Sequence, residues 1–248
     1  MLGPRHHGWQ HGDVAELFVL VHAPVLGPAS WALVGRELSG SGHNVAIPTL
    51  SGCTDGGPPY ARRLVRQACA QVQASAADRV VLVVHSGAGV FAPYLAEALA
   101  ARETAVIFAD AAIPPHSGRG KVTDDGFLPF LRDIATEGLV PPWPQWWPAD
   151  ELSPLFPDEG TRRAVAGEAR PLPLAFFEED LPPVPAAWRS CHPGYLRFSE
   201  PYRDQADEAA TRGWPVRELP GQHLHMLIDP AGVATAITAL AADQAGQA

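Results

Sequence analysis

The sequence has a single lysine, Lys121, among 18 basic residues, set against 27 acidic ones, and its formal net charge is −9. A chain this acidic lacks the basic face that nucleic acid or an anionic membrane surface would require. No apolar run approaches the ~18 residues of a membrane span. The opening stretch, MLGPRHHGWQHGDVAE, has no apolar centre of the kind a secretory signal carries. Cysteine is scarce too. Cys53, Cys69 and Cys191 are odd in number and form neither a CxxC nor a CxxxH pair, which argues against a disulfide framework and a structural zinc site. His6, His7 and His11 are poorly spaced for a metal, so no metal and no cofactor is expected. What remains is a cytoplasmic protein with reduced thiols whose partner is a small molecule; no oligomeric state follows from the sequence.

Proline is plentiful but uneven: 16 of the 26 prolines, and four of the seven tryptophans, fall between Pro114 and Pro201. Proline fixes φ and removes a backbone donor, so this stretch is expected to be short helices and loops and not regular sheet. The flanks differ. Leu17 to His22, Val80 to Val84 and Ala105 to Ala109 are continuous apolar runs, as suits parallel strands buried on both faces. Weaker strand signals lie at Asn44 to Ile47, Gly194 to Phe198 and Pro215 to Leu219, with helical spacing between them. The alternation predicts an α/β fold with a doubly wound, mostly parallel sheet. Its core would comprise 14–113 and 190–248, with a Pro/Trp-rich helical cap insertion at 114–189 and a flexible N-terminal segment at 1–13. An insertion following a strand sits over the carboxyl edge of the sheet, where such folds bind ligands.

One stretch carries chemistry. In VVLVVHSGAGVFAPY (Val80 to Tyr94) a buried strand runs straight into His85-Ser86-Gly87-Ala88-Gly89 and then a helix. A strand, a sharp turn and a helix are what a nucleophile elbow needs, with small residues around the serine. Ala88 and Gly89 meet that need, whereas Val84 does not. The helix start would aim the Gly87 N–H at a developing oxyanion. With VLVHAPVLGPASW (Val19 to Trp31) and LPGQHLHMLIDP (Leu219 to Pro230), this stretch resembles the α/β-hydrolase superfamily. The branch is similar to the plant methylesterases and hydroxynitrile lyases, and the likeness runs from about Leu17 to Leu240.

The resemblance implies Ser86 as nucleophile and His223 as general base, with His225 as rival. It places the acid after the penultimate strand, where Pro201 stands with Glu200 beside it, or after the preceding strand, where Asp110 stands. Asp110 is the expected acid, because a carboxylate ending a buried strand must be paired, and Glu200 is the alternative. The oxyanion donors would be Gly87 and, because Pro24 has no N–H, Val25. Pro24, His85, Trp143, Trp146 and Trp147 are the expected pocket residues, although His85 and His22 also read as hydrogen-bonding supports, and the tryptophans as packing. Three functions fit: a serine hydrolase cleaving an ester or thioester of an apolar small molecule, a lyase, cyclase or isomerase using the same residues as acid and base, or a silent ligand-binding protein.

Overall fold

The computed structural model describes residues 16–72, 77–99 and 103–245. The expected N-terminal segment 1–13 and its histidines lie outside the described residues. Strands β1 (Glu16–Val21), β2 (Asn44–Ala46), β3 (Arg79–Ser86) and β4 (Glu103–Ala111) come first, interleaved with helices α1 (Ala32–Gly40), α2 (Tyr60–Ala70) and α3 (Ala92–Leu99). The segment between β4 and His192 carries β5 (Arg119–Lys121), α4 (Leu128–Ile134), β6 (Leu139–Val140), α5 (Ala149–Leu152), α6 (Glu159–Glu168), β7 (Leu172–Pro173), α7 (Leu174–Phe177) and β8 (Asp180–Pro183). The chain then returns to the core with β9 (His192–Arg197), α8 (Arg203–Thr211), β10 (Val216–Glu218), α9 (His225–Ile228) and α10 (Pro230–Ala245).

Six strands form one sheet in the order β10-β9-β4-β3-β1-β2, and every pair in it is parallel. Alternation along β3 and β4 explains their unbroken apolar sequence. Val80, Leu82, Val84, Val106 and Phe108 point into one core with α2, α3 and α8. Val81, Val83, Ala105 and Ile107 point into the other, with α1 and α10. Each strand therefore needs an apolar residue at every position. No helix among the described residues is long and apolar enough to cross a membrane.

The inserted segment is less irregular than its prolines imply. β5 pairs with β8 and β6 with β7, both antiparallel. These are two-stranded ribbons, so every strand is an edge, and Pro173 and Pro183 sit where no ladder N–H is required. The insertion is tied to the core by packing and by two carboxylates. Phe176 lies against Tyr60 and Phe91, with ring centroids 6.1 and 6.2 Å apart. Glu179 Oε2 accepts the N–H groups of Tyr60 (2.7 Å) and Ala61 (3.2 Å) at the start of α2. Glu168 Oε2 accepts the Ala29 N–H at 2.8 Å, in the 3₁₀ turn Pro28–Ser30 that precedes α1. Helix starts leave N–H groups without intrahelical partners, and here residues of the insertion satisfy them.

Candidate active site

The site lies at the carboxyl ends of β3, β4 and β9. Ser86 ends β3 at φ 56°, ψ −130°. This is a sparsely populated conformation, with a cost of about 1–3 kcal/mol that the surrounding structure must supply. The sheet register shifts between His85 and Ser86, and the 3₁₀ turn Gly87–Phe91 follows at once. Gly87, first in that turn, has an N–H with no intrahelical acceptor. Gly89 is glycine for space: a methyl there would overlap the Ala112 carbonyl oxygen. Val84, which departs from the small residue usual at that place, simply buries its side chain in the core on the α2/α3 side.

Asp110 is the next-to-last residue of β4, fully buried and at φ 42°. Tyr195 on β9 braces this bend, its hydroxyl accepting from the Ala111 N–H (3.1 Å) and donating to the Ala111 carbonyl (2.9 Å). The Asp110 carboxylate accepts from the N–H groups of Phe198 (2.6 Å) and Ser199 (3.1 Å), and from the Ser199 hydroxyl (2.5 Å). Its Oδ2 also lies 3.2 Å from His223 Nδ1. The opposite ring nitrogen, Nε2, is 3.0 Å from Ser86 Oγ. An ionised carboxylate only accepts hydrogen bonds, so it fixes the tautomer: Nδ1 carries the proton and Nε2 receives the Ser86 hydroxyl.

Two further histidines frame this chain. His22 is buried, with Nδ1 2.8 Å from the Ala23 carbonyl and Nε2 accepting the Leu50 N–H at 3.2 Å. Both nitrogens are satisfied only in the neutral form, and burial pulls its pKa down to about 4. His85 lies against His223 with centroids 4.6 Å apart and the rings tilted by 31°, and its Nε2–H donates to the His223 carbonyl at 3.1 Å. Burial, and then the nearby His223, push the His85 pKa well below the ordinary histidine value.

One residue of the site was not expected from the sequence. Tyr202 closes the 3₁₀ turn Glu200–Tyr202 after β9. Its hydroxyl is 3.1 Å from Ser86 Oγ, and its ring lies parallel to the His223 imidazole, 4.8 Å away and tilted by 4°. Burial raises its pKa to about 12, so it is a neutral donor at ordinary pH. The only signal was positional: it is two residues beyond Glu200, in the stretch after β9 where the resemblance looks for an acid.

Several expected residues stand elsewhere. Glu200 is solvent-exposed and does not meet the imidazole: its carboxylate is held at the surface by Arg203 (2.6 Å) and Arg197 (3.6 Å). His225 begins α9 with its ring against Phe198. His85 lines no pocket: neighbours on a strand face opposite ways, so it points under His223 with no exposed surface. Trp143 is buried with the α1/α10 core. Trp146 is half-buried among Phe127, Phe130 and Phe177. Trp147 stacks on Phe130 at 5.1 Å and is 38% exposed. It borders a surface depression with Pro144, Leu152 and Arg162 that none of Ser86, Asp110 and His223 lines. Pro24 lies beside Gly87, its Cδ 3.8 Å from where a Gly87 side chain would begin; Val25, next in the chain, is half-buried. No group of three or more histidine, cysteine or acidic side chains among the described residues could hold a metal ion.

A family model described as the alpha/beta hydrolase family matches residues 18–236. The chain belongs to the alpha/beta hydrolase family. Among solved structures of that fold, an extracellular alpha/beta-hydrolase from a Paenibacillus species is similar at 18% identity and a TM-score of 0.68, over 92% of this chain and 98% of that one. That protein is described as sharing structural and functional homology with tobacco Salicylic Acid Binding Protein 2. A pyrethroid hydrolase aligns over 95% of this chain and 100% of its own, at 15% identity and TM-score 0.70. Tomato methylketone synthase I, solved with 2-tridecanone, aligns over 94% and 100% at 16% identity and TM-score 0.67. At such identities the likeness is one of fold. No curated protein matches the sequence.

Proposed function

We propose that this α/β-fold hydrolase is a serine esterase, cleaving an ester or thioester of an apolar small molecule through an acyl-serine intermediate. The observation that carries the reading is the unbroken chain from Asp110 Oδ2 through His223 to Ser86 Oγ, with contacts of 3.2 and 3.0 Å. In this mechanism Ser86 Oγ attacks the ester carbon while His223 Nε2 takes its proton. Asp110, held by the Phe198 and Ser199 donors, stabilises the imidazolium without accepting its proton. The oxyanion rests on the Gly87 N–H and a second donor from the Pro24–Val25 loop, for which Val25 is the residue with an N–H to give. His223 then protonates the leaving oxygen, and water releases the acyl group by the same route. The insertion 114–189 serves as a cap that shields the site, with Trp146 and its phenylalanine neighbours supplying apolar surface near the acyl part. Small molecules bound or cleaved by the structural relatives agree with a small-molecule substrate.

The missing N–H at Pro24 favours a second reading, in which the same residues act as acid and base in a lyase-type reaction without an acyl-serine. Loss of one oxyanion donor typically costs ~10²–10³ in rate. The two readings separate on p-nitrophenyl butyrate hydrolysis run beside fluorophosphonate labelling, for the wild type and Ser86→Ala. Turnover and labelling that vanish together in the variant support the esterase. A wild type that shows neither refutes it and leaves the lyase reading.

A further inference from the structure

Proton accounting at Ser86 leads one step further. His223 Nδ1 faces the Asp110 carboxylate and must carry a hydrogen, so Nε2 is the acceptor and the single Ser86 hydroxyl hydrogen points to it. The remaining contact on Oγ, 3.1 Å to Tyr202, can then run only one way: the phenol donates and the serine oxygen accepts. The parallel ring stack brings that phenol to Oγ alongside the imidazole. Gly87 belongs to the strand-to-helix turn, with Pro24 of the loop after β1 beside it. The imidazole side of Oγ is where the leaving group sits, because His223 must reach it with the same nitrogen that took the serine proton.

Resting on the esterase reading, we propose that Tyr202 is a further catalytic residue: it holds Ser86 Oγ before attack and then passes its hydrogen bond to the leaving oxygen. Once Oγ is bonded to carbon in the tetrahedral adduct it becomes a weak acceptor, and the more negative alkoxy oxygen draws the phenol hydrogen. As the C–O bond breaks, its electron pair stays on the leaving oxygen, which takes the proton from His223 Nε2; Tyr202 keeps its own proton throughout. The help matters in proportion to the charge the leaving oxygen develops, so poor leaving groups depend on it most. The place of Tyr202 supports the role. In this chain Asp110 supplies the carboxylate that faces His223, and the turn after β9 is left free to supply Ser199 to Asp110 and Tyr202 to Ser86.

The test is Tyr202→Phe, which keeps the ring stacked on His223 and removes only the hydroxyl. kcat/KM is measured on p-nitrophenyl butyrate, whose leaving group is good, and on ethyl butyrate, whose leaving group is poor. Fluorophosphonate labelling reports whether the Ser86–His223 pair is intact. The expected result is a loss of about tenfold on ethyl butyrate, the scale of one hydrogen bond, a clearly smaller loss on p-nitrophenyl butyrate, and labelling within about threefold of wild type. Equal losses on both esters would show a packing role only and overturn the proposal, as would no loss on ethyl butyrate. Abolished labelling in the variant would equally overturn it, since the hydroxyl would then be needed to assemble the pair and not to assist departure. A wild type that neither cleaves nor labels is a different failure, that of the esterase reading itself.

Discussion

Acidification will destabilise this protein well before its carboxylates protonate, and His22 sets the scale. In the fold both its nitrogens are committed, one to the Ala23 carbonyl and the other to the Leu50 N–H. Protonating Nε2 would set an N–H against an N–H in a buried place. Its folded pKa is depressed to about 4 from an ordinary 6.5, so between those values the unfolded chain binds the proton and the folded chain does not. The contribution is fully present above about pH 6.5, falls as pH drops, and levels off below about pH 4. At pH 5 the unfolded state is favoured through about 1.5 pH units, worth about 2 kcal/mol at 1.36 kcal/mol per unit. For a chain of this size that lowers Tm by about 4–8 °C. His85, also depressed by burial, moves stability in the same direction. Thermal melts from pH 7 to 5 on the wild type and on His22→Gln, which retains an acceptor for Leu50 but cannot titrate, isolate the His22 share. The pH dependence should be shallower in the variant by about 2 kcal/mol over that range. A flat wild-type profile, or identical slopes in the two proteins, would refute the reasoning.

Asp110→Asn should lower ester turnover by about 10⁴, because an amide can donate to His223 and stabilise the wrong tautomer; kcat within tenfold of wild type would remove Asp110 from the mechanism. Gly89→Ala places a methyl on the Ala112 carbonyl and should cost about 1–3 kcal/mol or more in urea unfolding, as overpacking does; an unchanged midpoint would mean that the elbow yields freely. Glu179→Ala strips the acceptor from two N–H groups at the start of α2. It should cost about 1 kcal/mol and speed proteolytic cleavage within the insertion, whereas an unaltered digestion pattern would show that Phe176 packing alone docks it.

The core of the fold is legible in the sequence because burial on both faces leaves a plain mark, an unbroken apolar run, on β1, β3 and β4. Ser86 and His223 stand out as candidates because small residues follow the serine directly after a buried strand and because the resemblance points to a histidine before the last helix; the fold brings the two side chains within 3.0 Å. Other features leave no such mark. Tyr202 meets Ser86 across 116 positions, and a lone tyrosine after a proline resembles any turn residue until β9 is laid beside β4. Trp147 and Trp143 are close in sequence, yet one stacks on Phe130 and stays exposed while the other is buried. Periodicity cannot separate them where no element exceeds a few turns. The prolines of the insertion conceal its strands because a two-stranded ribbon tolerates a missing donor that a wide sheet would not.

The two glutamates of the insertion give it a further property. Glu168 and Glu179 complete helix starts that belong to the core, and the first of these, at Ala29, stands only a few residues beyond His22, Pro24 and Val25. The insertion is therefore wired into the serine's surroundings through the backbone it caps. Were it to lift as one piece, the turn at Ala29 and the start of α2 would lose their acceptors at the same moment. The same wiring limits exchange between relatives: a foreign insertion grafted onto this core would leave these N–H groups without acceptors unless it also carried carboxylates to the two helix starts.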